Sequence, residues 1–285
     1  MSILIDYNQV LLSNLFKSIG NHQNVEISED MVRHMFLNSL RYYRKKFKND
    51  YGELIICVDG RHSWRRKIFP YYKAARKQTR EDSELDWENL FEIINNIRDE
   101  LKDYFPYKVI HVEECEADDI IGVICHKEGK QLNNGDDKFL IISSDKDYIQ
   151  LQKYSNVDQY DPINKKWVVY SDPDEYLIEH IIKGDRGDGI PNILSKDNCI
   201  VVGERQKPMT KKRLAEFKDE ANIKDELKKR FERNRALIDL SLVPAELQDE
   251  ILNQYNKTDD IGREKLFGFF MKKKLKNLMP QIQDF

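Results

Sequence analysis

Glu113-Glu114-Cys115-Glu116-Ala117-Asp118-Asp119-Ile120-Ile121, continued further on by Phe139-Leu140-Ile141-Ile142-Ser143-Ser144-Asp145-Lys146-Asp147, decides how this chain reads. Each stretch packs carboxylates into a junction between an apolar, strand-like run and a helix-like run. Repulsion opposes such gathering: at ~4 Å in a partly dry site a like-charged pair costs roughly 4 kcal/mol. A hard divalent cation, which takes oxygen ligands, offsets that cost. The two stretches predict a metal-holding site built on strand ends.

The neighbouring sequence repeats the pattern. Ile3-Leu4-Ile5 ends in Asp6, and Val10, Leu11, Leu12, Leu15, Phe16 and Ile19 then follow at helical spacing. Ser28 opens a helix whose stripe of Met31, Val32, Met35, Phe36 and Leu40 runs to about Phe47. Leu54 to Val58 is a second apolar run, ending in Asp59-Gly60, and Val109 to Val112 is a third, after a helix from Trp87 to about Phe105. Phe139 to Ile142 is the fourth, and 157–160 with 167–170 form an edge pair. Continuous apolar runs suit a parallel sheet covered on both faces. Strands alternating with helices give an α/β domain whose ligands collect beyond the strands' carboxyl ends. Asp6, Asp59, Glu116, Asp118, Asp119, Asp145 and Asp147 all fall there.

After Pro173 the pattern is helical: 174–183, 210–239, 244–256 and 261–277, with Gly184-Asp185-Arg186-Gly187-Asp188-Gly189-Ile190-Pro191 as the joint and 192–209 as a mobile stretch. Two domains are expected, an α/β unit over 1–183 with a basic arch at 61–85, and a helical unit over 184–285. The chain has 285 residues, 40% hydrophobic and 34% charged, which excludes a disordered chain. No apolar run approaches the ~20 residues of a membrane span. Met1 leads straight into a strand, so a cytoplasmic protein is expected. The four cysteines lie far apart without zinc spacing and are read as reduced; the six histidines form no metal or triad set and are read as structural.

Residues 61–80 are the sharpest shift in composition. Arg61, Arg65, Arg66, Lys67, Lys73, Arg76, Lys77 and Arg80 occur without one acid and are interleaved with Trp64, Phe69, Tyr71 and Tyr72. A solvated basic face needs no aromatics; bases stack on rings while Arg and Lys track phosphates, so nucleic acid is the expected partner despite a net charge of −3. Singly, the acids have plainer explanations. Asp118, Asp119 and Asp147 would each gain ~0.3 to 1 kcal/mol in a first helical turn. Four strand ends delivering carboxylates to one sheet edge is what favours the metal reading. With Asp185 and Asp188 there are oxygen ligands enough for two magnesium ions, about 3.5 to 4 Å apart, as in phosphodiester cleavage.

Ile5-Asp6, Val58-Asp59, Tyr72-Lys73-Ala74-Ala75-Arg76, Glu116-Ala117-Asp118-Asp119, Ser144-Asp145-Lys146-Asp147 and Gly184-Asp185-Arg186-Gly187-Asp188-Gly189-Ile190-Pro191 together resemble the flap endonuclease or 5′-nuclease superfamily, and within it the ribonuclease H group of T-even phages. The resemblance spans nearly the whole chain. It implies a PIN-like (5′-nuclease) fold and a 5′ to 3′ exonuclease with ribonuclease H and flap activity, using two Mg2+ ions for which Mn2+ can substitute. It also implies removal of RNA primers from lagging-strand fragments during phage DNA replication. Asp6, Asp59, Glu116, Asp118, Asp145 and Asp147 would surround the first ion, and Asp119, Asp185 and Asp188 the second. Lys73 and Arg76 would sit over the scissile phosphate, with Asp145 and Asp147 in the chemistry. Tyr72 would stack the terminal base, and Arg65, Arg66 and Arg80 would contact nucleic acid. The implied partners are DNA and RNA–DNA hybrid with a free 5′ end, a single-strand DNA-binding protein and a sliding clamp, with the enzyme itself a monomer.

One departure stands out. Members usually follow Gly-Asp-x-x-Asp-Asn-x-Pro-Gly-Val with Gly-Ile-Gly-x-Lys-Thr-Ala, whose backbone grips a duplex strand with potassium. Here Gly189 and Asn192 replace the Asn and the Gly, and Leu194 to Asn198 has no glycine pair. The competing readings are a PIN-type endoribonuclease, usually shorter and without the Tyr-Lys-x-x-Arg arch, and a catalytically silent DNA-binding accessory protein.

Overall fold

The computed structural model describes residues 1–20, 27–129, 137–258 and 262–285. Strand β1 (Ser2–Asp6) leads into α1 (Tyr7–Ile19), then α2 (Glu29–Tyr51) and β2 (Glu53–Val58). The basic stretch forms two short helices, α3 (Arg65–Ile68) and α4 (Ala75–Glu81), before α5 (Trp87–Tyr104), β3 (Lys108–His111), α6 (Ala117–Gly129) and β4 (Phe139–Ile142). A 3₁₀ turn (Asp147–Lys153), β5 (Val157–Asp161), β6 (Lys166–Val168) and α7 (Pro173–Lys183) follow. The rest is helical: α8 (Lys211–Phe217), α9 (Asp225–Ile238), α10 (Ala245–Asn256) and α11 (Glu264–Lys272), closed by a 3₁₀ turn at Met279–Asp284.

The six strands form one sheet in the order β3-β2-β1-β4-β5-β6. All pairings are parallel except the terminal β5–β6 pair, the expected edge hairpin. Because β1 lies between β2 and β4, the strand order turns there, and the crevice of such a sheet opens at that point.

Strands β1, β2 and β4 are largely apolar because both faces are covered there. Side chains alternate: Ile3, Ile5, Leu54, Ile56, Leu140 and Ile142 join one cluster, while Leu4, Ile55, Cys57, Phe139 and Ile141 join the other. The first face carries α1, α2, α5 and α11; the second carries α6, α10 and the 3₁₀ turn at 147–153. A third cluster, holding Phe69, Tyr72, Ile181, Ile182, Ile190, Phe217, Phe231 and Leu237, lies beneath the basic stretch.

Residues beyond 184 contribute to all three clusters. Leu240, Val243, Leu247 and Ile251 seal the α6 face, and Phe269, Phe270 and Phe285 complete the opposite one. Among the described residues no helix is long and apolar enough to cross a membrane.

Several expectations shift. Helix α2 runs one turn past Phe47, because Tyr51 still packs in the core and its cap falls at Gly52. The helix expected over 210–239 is interrupted: the Asp219 side chain accepts the Ala221 N–H and turns the chain between α8 and α9. Residues 192–209 have neither helix nor strand, yet they are pinned rather than loose. The Asn192 amide donates to the Lys207 carbonyl (2.9 Å), and the Ser195 hydroxyl both donates to Asn192 Oδ1 (2.9 Å) and accepts the Lys207 N–H (2.9 Å). The last helix is shorter than 261–277; residue 261 lies outside the described residues.

Phe105, fully buried, ties the C-terminal residues to the sheet. Its ring lies 5.4 Å from Phe269, 6.2 Å from Phe270 and 5.8 Å from Phe285. Phe105→Ala should destabilise the protein by about 3 to 5 kcal/mol in a urea titration. A loss below about 1 kcal/mol, the size of an ordinary peripheral change, would show that this aromatic group does not join the two parts.

Candidate active site

Eight carboxylates line one cleft of about 840 Å³ at the carboxyl edge of the sheet: Asp6, Asp59, Glu116, Asp118, Asp145, Asp147, Asp185 and Asp188. Each is delivered by the end of an element. Asp6 ends β1 and caps α1, its Oδ1 accepting the Gln9 N–H (3.2 Å), while Oδ2 accepts from Ser143 Oγ (3.0 Å) and Tyr148 (3.1 Å). Asp59 follows β2 and accepts the Ala117 N–H (2.7 Å) with one oxygen and Asn8 Nδ2 (2.7 Å) with the other.

That link sets β2 against the start of α6. The chain can pass so closely only because residue 60 is glycine: an added Cβ would stand 2.2 Å from the Glu113 carbonyl oxygen. Asp145 and Asp147 follow β4, with the Asp147 N–H donated to Asp145 Oδ1 (3.0 Å). Asp185 and Asp188 belong to the loop after α7, where the Asp188 N–H is donated to Asp185 Oδ1 (3.0 Å).

Three cations, Lys17, Lys73 and Arg76, line the cleft, and the last two pair with its acids. The Lys73 ammonium pairs with Glu116 and lies 3.5 Å from Asp188 Oδ2; Arg76 pairs with Asp188. Lys73 is held by its backbone, whose N–H donates to the Asp188 carbonyl (2.7 Å). Gly189 lies under this contact at φ +75°, where an added Cβ would meet the Tyr71 carbonyl oxygen at 2.9 Å. Asn tolerates that left-handed backbone better than most residues but would collide there, which accounts for the glycine.

Electrostatics divides the acids into two sets. Burial, and then the charges of Asp59 and Asp145, push Asp6 up to about 7. Asp59 is raised by burial and by Glu116, and Asp147 well above the carboxylate range by burial and then Asp145. Burial likewise raises Asp118, against the pull of Arg65. In Glu116 burial is outweighed by Lys73 and Arg65, which hold it at about 2, and the hydrogen bond from His180 holds Asp185 at about 2. Among the described residues Asp6, Asp59, Asp145 and Asp147 have no Lys or Arg within ion-pair distance. Positive charge is short on that side of the cleft.

Three sequence assignments change. Asp119 does not line the cleft: it is fully buried, with its carboxylate held by the Arg65 guanidinium (2.8 and 2.9 Å), the Trp64 indole N–H (3.1 Å) and the Glu116 N–H (2.9 Å). Arg65 is equally buried; it also donates Nε–H to the Leu237 carbonyl at the end of α9 (2.7 Å) and Nη1–H to Glu116 (3.2 Å), so it presents no charge to a phosphate. Tyr72 is buried too, its hydroxyl 2.6 Å from Glu116 Oε2 and 3.0 Å from Asp188 Oδ2, so its ring offers no face to a base. Arg66 is exposed, and the Arg80 guanidinium lies over Phe91 and Trp87 at 4.8 and 5.4 Å.

Asn8, Ser63, Ser143, Tyr148 and His180 support the carboxylates without having been singled out in the sequence. His180 is the informative omission, because its ring lies between Asp147 (3.4 Å) and Asp185 (3.3 Å). The available signal was its place in the last turn of α7, directly before Gly184-Asp185.

Removing one member of a buried ion pair leaves an unpaired charge, so Arg65→Leu should lower stability by about 3 to 5 kcal/mol. Arg66→Leu, on the surface, should stay within about 0.5 kcal/mol. Equal denaturation midpoints for the two variants would contradict the buried pairing of Arg65.

The comparisons with known proteins agree along the chain. Residues 1–180 match the family model described as 5′-3′ exonuclease, N-terminal resolvase-like domain, and residues 172–285 match that of T4 RNase H, C terminal. The chain is 34% identical to ribonuclease H of Enterobacteria phage T4, covering 99% of this chain and 95% of that protein. It is 28% identical to the flap endonuclease Xni of Shewanella pealeana over 46% of this chain and 49% of that one. Among solved structures, the phage T5 D15 protein co-crystallized with metal ions shares the fold with a TM-score of 0.61 at 17% identity, over 89% of this chain and 96% of that one. A D15 flap endonuclease complex with DNA and metal ions gives the same TM-score of 0.61, over 90% of this chain and 99% of that one. With two family models spanning it and a relative matched almost end to end, the chain belongs to the 5′-3′ exonuclease family of nucleases.

Proposed function

We propose that this nuclease is a magnesium-dependent 5′ to 3′ exonuclease with ribonuclease H and flap endonuclease activity, acting on RNA primers and the adjacent DNA during phage DNA replication in the host cytoplasm. The observation that carries the reading is the convergence of eight carboxylates on one cleft whose wall bears Lys73 and Arg76. Those carboxylate oxygens suit hard divalent cations such as Mg2+, with Mn2+ as a substitute. The uncompensated acids Asp6, Asp59, Asp145 and Asp147 would hold one ion. Asp185 and Asp188 would hold the second, with Asp118 and Glu116 between the two. When bound, such ions supply water activation and stabilisation of the leaving oxygen in phosphodiester hydrolysis.

The remaining roles belong to the chain itself. Lys73 and Arg76, now neutralised by Glu116 and Asp188, would turn to the scissile phosphate and stabilise the charge that develops there. Arg66 and the exposed residues of α4, beyond the buried anchor of Trp64, Phe69 and Tyr72, would track the strand entering the cleft. Ser143, Tyr148 and Asn8 orient Asp6 and Asp59. The substrate would be DNA or RNA–DNA hybrid with a free 5′ end, bound by a monomer. The likeness to phage ribonuclease H supports a single-strand DNA-binding protein and a sliding clamp as partners.

Asp145→Asn and Asp147→Asn should reduce hydrolysis to background while sparing DNA binding, and Lys73→Ala should slow the single-turnover step by about a hundredfold. Full magnesium-dependent turnover by both Asn variants would refute the metal assignment. Metal-free protein should gain about 2.7 kcal/mol of stability at a magnesium concentration of 100 Kd; an unchanged melting temperature would count against bound cations.

On a nicked duplex labelled at either end, degradation should start at the 5′ end and release short oligonucleotides. Without the glycine-pair clamp, processivity should fall steeply as salt rises. Cleavage of a closed circular single strand at a comparable rate would favour the PIN-type endoribonuclease instead.

A further inference from the structure

Both ring nitrogens of His180 face acids of the cleft, but only one of the two contacts is an aligned hydrogen bond. Its imidazole, about one-eighth exposed (13%), stands between two acids of the cleft, with Nε2 3.3 Å from Asp185 Oδ2 and Nδ1 3.4 Å from Asp147 Oδ1. The ring is set from behind by Tyr176, one turn earlier on α7, whose ring centroid is 5.8 Å away at 66°. Only the Nε2 contact is aligned as a hydrogen bond. A neutral imidazole has one N–H and one lone pair. If Nε2–H is donated to Asp185, Nδ1 turns its lone pair on the Asp147 carboxylate, and two electron-rich atoms face each other.

A proton or a metal cation between them removes the conflict, and the spacing suits the metal. Two adjacent ligands of one transition-metal ion, at bond lengths of about 2.0 to 2.2 Å, stand about 2.8 Å apart in octahedral to about 3.6 Å in tetrahedral geometry. The Nδ1 to Asp147 separation is of that size, and ligand atoms of Asp147, His180 and Asp185 all lie within 4.8 Å of one another. A ligating histidine that gives its other N–H to a carboxylate has its tautomer and ring orientation fixed by that bond.

We propose that His180 Nδ1 and Asp147 are ligands of a divalent cation in the cleft, with Asp185 holding the ring through Nε2–H. The site therefore takes a transition-metal ion more tightly than magnesium. Imidazole nitrogen suits transition metals, whereas carboxylate, carbonyl and water oxygens suit Mg2+. The inference rests on the metal reading above and adds to it a nitrogen donor that discriminates between ions.

The test uses the purified full-length, metal-free protein with Mn2+ and Mg2+ as probes, without nucleic acid. Pulsed electron paramagnetic resonance of the Mn2+-loaded wild type should show nitrogen coupling from an imidazole, lost in His180→Ala and in His180→Gln. The Gln variant retains side-chain bulk and a donor for Asp185. In calorimetric titrations both variants should bind Mn2+ at least about tenfold more weakly, while Mg2+ affinity changes less than about threefold.

Absence of nitrogen coupling in the wild type would overturn the proposal, as would equal losses of Mn2+ and Mg2+ affinity, which mark His180 as a bridge between acids and nothing more. Asp145→Asn separates this failure from failure of the underlying reading. If Mn2+ binds that variant as it binds wild type, the acidic cleft is not the metal site and the His180 assignment falls with it. If Asp145→Asn loses Mn2+ while both His180 variants retain it, the cleft stands and only the His180 assignment is lost.

Discussion

Mutual repulsion among the carboxylates at the sheet's edge is the constraint around which the rest of this structure is arranged. The parallel sheet with its turning point at β1 points several strand ends at one place. Side-chain and backbone donors then hold the acids apart and in register: Asn8 and the Ala117 N–H on Asp59, Ser143 and Tyr148 on Asp6, and Tyr72, Ser63 and Lys73 on Glu116. Such an arrangement stores electrostatic energy in the folded chain, and the architecture beneath it must be rigid enough to bear it. Covered faces on both sides of the sheet, with the central strands β1 and β4 fully buried, supply that rigidity.

The support extends well beyond the cleft. Arg65 links the end of α9, through the Leu237 carbonyl, to Asp119 and Glu116 at the start of α6. One guanidinium thus joins the basic stretch, the acidic helix and the C-terminal helices. The nearby third cluster, with Phe69 and Tyr72 packed against α7 and α9, fixes the same segment by apolar contact.

The fold was legible because its signals are local and redundant. Strands β1, β2 and β4 are each a short apolar run with acids at its end that line the cleft. The burial of single residues within the charged stretches was harder to see. Asp118 and Asp119 are neighbours on a helix, about 100° apart around its axis, so one faces the cleft and the other the interior. Nothing in their identity says which. Arg65 looks like the surface cations around it, yet Arg65, Phe69 and Tyr72 recur at i, i+4 and i+7, the spacing of a buried stripe. The place of His180 is invisible in the sequence because its partners are brought to it by the loop after α7 and the turn after β4, a meeting that exists only in three dimensions.

The sharing of all three apolar clusters between the first 183 residues and the rest bears on how this enzyme can diverge. Recombination near residue 180, where the two family models meet, would join an incoming C-terminal half to pockets shaped for Leu240, Ile251, Phe269, Phe270 and Phe285. A donor half with different side chains there would leave voids on both sides of the sheet at once. A replacement half would therefore have to bring matching side chains to both faces. Change has an easier route through exposed positions such as those of α4, none of which is buried, without disturbing what holds the molecule together.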